Sequence, residues 1–364
     1  MIFYPILRNH IVTKSKFLRL SSTVILPDID TNYYCNSENS LEIDNNIKLR
    51  KGVGDVNRVM NMYKKYKATP LSDSSYQIVR ENLYKELSCL PGELAELEEA
   101  LIKYTVGKLL QEKFQLVSVP DILPSQVLES CGMTINSDRT QIYSLDPVHH
   151  GPDLYLSGTA EMSLAGLLMN TTHTEEALPL KLAAVSRCFR AETSNLIEER
   201  GIYRVHQFTK VEMFAVTTPN QSESMLEYLR TKQEELFSPL GFNMRILDMP
   251  PHELGAPAYR KYDIEAWMPG RNNYGEISSC SNCTDYQSRR LHIKYVHNDG
   301  TCYVHTLNGT ACAVPRMLIA LLETHQDPKG KIYIPEVLQP YMNGKKYIAK
   351  NNTVPELKLM KIKR

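Results

Sequence analysis

The sequence holds no second Cys-x-x-Cys and no His-x-x-x-His to accompany its one metal-like spacing, Cys280-Ser-Asn-Cys283, so the four ligands of a structural zinc are not assembled. Its eight cysteines are scattered from Cys35 to Cys312, which excludes a small disulfide scaffold and reads as a reducing compartment. No apolar run approaches the roughly 18 residues of a membrane span. Gly52-Val-Gly54-Asp-Val-Asn57 lacks the last glycine of a dinucleotide fingerprint and follows no convincing strand. Charge of either sign is nearly absent in sum: the net value is +1, so nothing global demands a polyanion.

What is present begins with size. A chain of 364 residues that is 42% hydrophobic can bury a sizeable core. No acidic residue precedes Asp28, while Arg8, Lys14, Lys16 and Arg19 lie among serines and threonines; residues 1–27 therefore have the composition of a mitochondrial transit peptide. Local charge is uneven. Lys48, Arg50, Lys51, Arg58, Lys64, Lys65 and Lys67 surround one Asp55, and Lys345, Lys346, Lys350, Lys358, Lys361, Lys363 and Arg364 crowd the end, as footprints for a polyanion or as solvated faces. A helical pattern over Tyr76–Leu90 is capped by Ser72-Asp73-Ser74-Ser75 and stopped by Pro91-Gly92.

The next stretch, Glu93 to Phe114, repeats Leu94, Leu97, Leu101, Tyr104, Val106, Leu109 and Leu110 at helical spacing, and a strand Leu116–Pro120 follows. Short strands are expected at Ile142–Leu145 and Leu154–Leu156, with His149 and His150 solvated between them. Ser157-Gly-Thr159-Ala160-Glu161 opens a helix, where a hydroxyl and a carboxylate also suit capping. Two strands joined by a polar loop then carry Arg190 and Glu192 on one, and Arg204, His206, Phe208 and Glu212 on one face of the other. A guanidinium fork matches a phosphate, and a ring offers a face for a base. Ser222–Phe237 reads as a helix, with strands at Asn243–Leu247 and Asp263–Trp267. Tyr274-Gly-Glu276-Ile277-Ser278-Ser279 gathers hard oxygens of the kind magnesium prefers, or is a polar loop. His305 to Glu323 reads as a strand, a turn at Gly309 and a buried helix opened by Pro315, with Arg316 in its first turn. That arginine opposes the helix dipole, which makes sense where a phosphate meets it.

Together these stretches resemble the class II aminoacyl-tRNA synthetases, and seryl-tRNA synthetases in particular. Phe189-Arg190-Ala191-Glu192 with Gly201 to Glu212 is similar to motif 2, Glu93 to Pro120 to motif 1, and Asn308 to Glu323 to motif 3, in wording close to the mitochondrial branch. Ala311, Ala313 and Pro315 stand where that family often has glycine. The resemblance implies an α+β fold, an antiparallel sheet flanked by helices over residues 91–345, preceded by a short helical region and followed by a basic tail, 346–364. It also implies that residues 40–90 are a shortened tRNA-binding arm, too short for the family's long helical pair.

The resemblance further implies a serine–tRNA ligase of the mitochondrial matrix that forms seryl-adenylate from ATP and L-serine and passes it to tRNA(Ser), with no protein nucleophile. Arg190, Glu276 and Arg316 would be catalytic. Arg190, Ala191, Glu192, Val205, Phe208, Glu276, Ile277, Ser278, Ser279 and Arg316 would hold ATP, with Arg190 on the α-phosphate, Glu192 on the adenine edge and Arg316 on the γ-phosphate. Thr159, Ala160, Glu161, Arg190, Glu212, Asn308 and Thr310 would line the serine pocket, and Glu276 and Ser279 would hold Mg2+. A homodimer through motif 1 is implied. The alternative is a non-charging synthetase-like partner of an intact paralogue, in a heterodimer or on RNA.

Overall fold

The computed structural model describes residues 92–135, 140–192 and 201–349. The transit-peptide and arm expectations, and the tail beyond residue 349, lie outside those residues. The chain runs from α1 (Glu93–Gln111) through β1 (Gln115–Leu116), β2 (Ile122–Pro124), α2 (Ser125–Ser130), α3 (Pro147–His150), β3 (Leu154–Leu156) and α4 (Ala160–Leu167) to β4 (Thr172–His173). Next come β5 (Leu180–Phe189), β6 (Gln207–Thr217), α5 (Ser222–Phe237), β7 (Met244–Asp248), β8 (Arg260–Met268), β9 (Asn273–Asn282) and α6 (Tyr286–Leu291). β10 (Lys294–His297), β11 (Gly300–Tyr303), β12 (His305–Ala313), α7 (Val314–His325), β13 (Ile332–Tyr333) and β14 (Tyr347–Ile348) complete it. Among the described residues no helix is long and apolar enough to cross a membrane.

One seven-stranded sheet, in the order β1-β5-β6-β12-β9-β8-β7, dominates. Only the β1–β5 pair is parallel; the other five pairings are antiparallel. This is the α+β architecture expected from the sequence. β6 shows why it folds so: its residues from Thr209 to Thr217 are buried, and alternation sends them to two different cores. Val211, Met213 and Ala215 pack with Leu97 and Leu101 of α1, Leu226 and Leu229 of α5, and Leu318 of α7. Phe214 and Val216 pack on the opposite face with Leu164 of α4 and Val127 of α2. Helices thus cover the whole of one face, but only one end of the other. The uncovered centre of that second face is where the polar residues lie.

Five expectations change. β5 ends at Phe189, so Arg190 and Glu192 lie just past the strand and not on it, although Arg190 N still donates to His206 O (2.9 Å). The strand after α1 stops at Leu116, although Val117 N still donates to Ala183 O (2.8 Å); Pro120 has no N–H with which to continue a ladder. Ile142–Leu145 makes a single bridge, Ser144 to Tyr155, rather than a strand. Arg204 and His206 precede β6, since Gly201–Tyr203 forms a single tight helical turn. β12 runs straight through Gly309, with no turn. Glycine is needed there because a Cβ would lie 3.2 Å from both Cys280 Cβ and Met213 Cε. His149 and His150 are exposed, as expected. Tyr347–Ile348 pairs with β13, and Lys345 pairs with Glu93 (3.2 Å) and Glu96 (2.6 Å), so the start of the basic tail is part of the folded body.

A buried amide ties the floor together. Gln233 of α5 is fully buried, with Nε2 2.9 Å from Ser278 Oγ, 2.8 Å from Ser279 O and 3.0 Å from Thr310 O, joining β9 to β12 beneath the polar face. Replacing it by methionine, of similar length, takes the amide donor from Ser279 O and leaves Thr310 O with Ser278 Oγ alone. Gln233→Met is predicted to lower the unfolding free energy by about 1–3 kcal/mol in urea denaturation; an unchanged midpoint would contradict this role.

Candidate active site

Strand register assembles the site. Ala184 pairs with Glu212 and Cys188 with Phe208, so the site-facing line of β6 is Phe208, Lys210, Glu212. Thr310 stands opposite Glu212 on β12, and Asn308 lies two residues along on the same face. Ser281 pairs with Asn308, and Asp263 with Ser279. Glu276 and Ser279 are three apart, and a regular strand would send them to opposite faces. A bulge between Ile264 and Glu265 in the β8–β9 register pairs Glu276 with Glu265, and so returns its side chain to the face of Ser279.

The nucleotide end is aromatic and cationic. The Arg190 guanidinium lies over the Phe208 ring, 5.4 Å from its centroid, and Nε approaches Gly158 O at 3.4 Å. Arg316, in the first turn of α7, donates to the Glu276 carboxylate and backbone oxygen, both at 3.0 Å, and covers the Tyr203 ring at 4.6 Å. Burial works against ionised Glu276, but the charges of Arg316, Lys261 and Arg190 outweigh it and hold its carboxyl below the ordinary value. Arg316 pairs with Glu276 directly, and the charge of Arg190 reaches the same carboxylate. Burial, then the Glu276 charge, raises the Asp263 carboxyl. Glu192 Oε2 accepts from Arg204 (2.9 Å) and from Gln141 Nε2 (3.2 Å).

The other end is acidic and enclosed. Thr159 caps α4 through Glu161 N (3.4 Å), so the capping role is real, but the Glu161 side chain turns inward. Its two oxygens accept from Gln287 Nε2 (2.6 Å) and Asn308 Nδ2 (2.5 Å). Glu212 is 1% exposed and meets Lys210 Nζ at 2.5 Å, with Thr310 Oγ1 3.4 Å away. Burial, then the charge of Glu212, lifts the Glu161 carboxyl to about 7. Two carboxylates share one lysine. The pocket therefore has room for one further positive charge.

Most predicted site residues converge here: Thr159, Glu161, Arg190, Phe208, Glu212, Glu276, Ser279, Asn308, Thr310 and Arg316. Others offer this face no side chain. Ala160 and Ile277 are fully buried, Val205 is buried, Ala191 N donates to Gln141 O (2.8 Å), and Ser278 Oγ donates to Thr310 O (2.5 Å) from the helix-covered side. Their backbone alone can serve a ligand. Sequence reasoning missed Lys210, Asp263, Gln287 and Thr306. Lys210 was visible in outline, two residues before Glu212 on an alternating strand. Gln287 lies on a separate helix, and no local signal links it to the pocket.

Comparison with known proteins identifies the family. Residues 143–325 match the model of the tRNA synthetase class II core domain (G, H, P, S and T), more than half of the chain. The chain belongs to the class II tRNA synthetases. Among curated members of the family it is 49% identical over 263 residues to the mitochondrial serine–tRNA ligase of Mus musculus, covering 71% of this chain and 51% of that one. It is 46% identical to that of Saccharomyces cerevisiae, covering 70% and 58%. The seryl-tRNA synthetase of Pyrococcus horikoshii, solved with ATP, superposes with a TM-score of 0.69 at 38% identity, covering 72% and 58%. The cytoplasmic serine–tRNA ligase of Naegleria fowleri, solved with AMP, gives 0.67 at 34%, covering 72% and 62%. The chain thus spans about half to three-fifths of the length of these relatives.

The raised Glu161 carboxyl carries a stability consequence. Its folded value, about 7, lies above the ordinary 4.5, so the folded state binds the proton more tightly. Stability from this group is fully present below pH 4.5 and is lost as pH rises through 7, by on the order of 3 kcal/mol at most. Urea melts at pH 5 and pH 8 should therefore show Glu161→Gln gaining on the unsubstituted chain at the higher pH; a constant difference would contradict it.

Proposed function

We propose that this chain is a serine–tRNA ligase that activates L-serine with ATP to seryl-adenylate and transfers the seryl group to the 3′ end of tRNA(Ser). The observation that carries this reading is the pairing, on one sheet face, of an Arg–aromatic nucleotide end with a buried two-carboxylate pocket that has a single lysine between its acids. An ammonium completes the charge of that pocket, whose polar groups come from α4, β6 and β12. Names of relatives add weight: several are serine–tRNA ligases, and one structure holds ATP and another AMP.

In the first step the serine carboxylate attacks the α-phosphorus of ATP and pyrophosphate leaves. In the second, a terminal ribose hydroxyl of the tRNA attacks the mixed anhydride and AMP leaves. Arg190 holds the α-phosphate while its own plane stacks on Phe208, which leaves the ring's far side for adenine. Arg316 meets the γ-phosphate end, and Glu276 keeps it extended until the polyphosphate arrives. Thr159, Glu161 and Asn308 receive the ammonium, and Glu212 with Thr310 receives the hydroxyl. Charge placed in advance where it develops is the catalytic device. A site built around a hydroxyl leaves buried polar groups unpaired when alanine enters, which supports selectivity.

The donor set also fits Mg2+. Glu276 and Ser279 face the same cavity, with Asp263 across from Ser279, a set of hard oxygens of the kind that ion takes beside substrate phosphates. When bound, Mg2+ would supply charge against the polyphosphate. We place the protein in the mitochondrion, in the matrix where tRNA(Ser) is charged, because its N-terminal composition and several relatives point there. Leu110 and Leu116 are 51% and 47% exposed along motif 1, with Ile122 just beyond it at 48%, which supports a homodimer through that face.

Serine-dependent exchange of pyrophosphate into ATP tests this reading. Glu212→Ala is predicted to abolish exchange, and near-normal exchange would remove Glu212 from the pocket. Arg316→Ala is predicted to raise the KM for ATP at least tenfold with the serine KM little changed; the reverse pattern would contradict its phosphate role.

A further inference from the structure

One of the two donors that hold Glu161, Gln287, touches no substrate in the reading above, and its arrangement says what it does. Gln287 is fully buried, and both ends of its amide are used: Nε2 donates to Glu161 Oε1 at 2.6 Å, and Oε1 accepts from Thr306 Oγ1 at 2.8 Å. Thr306 is itself fully buried, on the same face of β12 as Asn308. An ionised carboxylate only accepts, so the amide nitrogen must face Glu161, and the Thr306 hydroxyl must then donate to the amide oxygen. Asn308 obeys the same rule at the other carboxylate oxygen, which leaves Asn308 Oδ1 buried without a hydrogen-bond partner in this structure.

We infer that Gln287, oriented by Thr306, is a positioning residue that fixes Glu161 as a pure acceptor, so that Glu161 and the Asn308 amide oxygen together cradle a primary ammonium group. The inference rests on the proposed serine site and deepens it. With one donor already on each oxygen, the remaining lone pairs of Glu161 are those free for a ligand. A primary ammonium brings donors only, and so satisfies both Glu161 and the orphaned Asn308 oxygen. A neutral hydroxyl, which must also find a donor for itself, does so less well.

The groups facing Glu161 are few. Glu212 and Lys210 lie on β6, Asn308 on β12 and Gln287 on α6, while the thiols of Cys131, beside α2, and Cys283, after β9, are held in their protonated form by burial and by Glu161 itself. Of these, Gln287 and Asn308 favour the charged carboxylate, Lys210 does so through its charge, and Glu212 opposes it. Loss of the Gln287 donor therefore shifts Glu161 toward its protonated form, which cannot bind an ammonium well.

The experiment is serine-dependent pyrophosphate exchange from pH 6 to 9. Gln287→Met is expected to raise the serine KM about tenfold at pH 7 and to move the pH midpoint of that KM up by about one unit, with kcat and the ATP KM within about twofold. Thr306→Val is expected to do the same more weakly, about threefold, and Thr306→Ser, which keeps the hydroxyl, restores the profile lost in Thr306→Val. If Gln287→Met fails to fold, the Thr306 pair carries the test. An unmoved midpoint, or an ATP KM that rises as much as the serine KM, marks a merely structural role and overturns the inference. Absence of exchange in the unsubstituted protein would overturn the functional reading beneath it.

Discussion

The arrangement of this protein depends on two carboxylates, Glu161 and Glu212, brought together at one end of the sheet with Lys210, among the described residues, the only cation in contact with either. Such a set is costly to bury, since like charges raise each other's proton affinity and each loses its water. The fold makes it tolerable through hydrogen bonds rather than through charge alone: Gln287 and Asn308 donate to Glu161, while Thr310 and Lys210 attend Glu212. An unpaired negative charge in a folded interior is a reason to bind a cation. The sheet supplies the rigidity that keeps this pocket from collapsing, because its underside is fastened by α1, α5 and α7.

At the opposite end the sign reverses. Three cations, Arg190, Arg316 and Lys261, stand there against Glu276 and Asp263, and the excess is positive where a polyphosphate would lie. One sheet face therefore carries a gradient, acid at the α4 end and base toward α7. A substrate with an ammonium at one end and phosphates at the other is oriented by that gradient before any specific contact forms. Residues 40–90, read from the sequence as a shortened tRNA-binding arm, lie outside the described residues.

Much of this was legible in the residues. Arg190, Phe208, Glu212 and Arg316 were visible because guanidiniums and acids in strand or first-turn positions are costly without a ligand, and because their wording resembled family motifs. α1 and α5 were visible because apolar residues recur at helical spacing, and Ser222–Phe237 was placed to the residue. The short reach of β1 was hidden, because a strand-like composition through Val119 says nothing of where its neighbour ends. The Gly309 turn was misjudged: glycine in a strand signals either a turn or a close approach, and only packing against Cys280 and Met213 shows which. The β8–β9 bulge was invisible for a deeper reason, since register belongs to a pair of strands and not to either one. Gln287 and Thr306 were missed because the amide acquires meaning here only through Glu161, 126 residues away, and the hydroxyl only through that amide.

The proposed site seats an adenine nucleotide on one sheet face beside a small amino acid whose ammonium lies between Glu161 and Asn308. A crystal structure with a non-hydrolysable seryl-adenylate analogue is the sharpest test. The adenine is expected against Phe208, the phosphate position at Arg190 and the amine within hydrogen-bond distance of Glu161. An analogue bound with its amine away from Glu161, or with its base off the Phe208 ring, would contradict it.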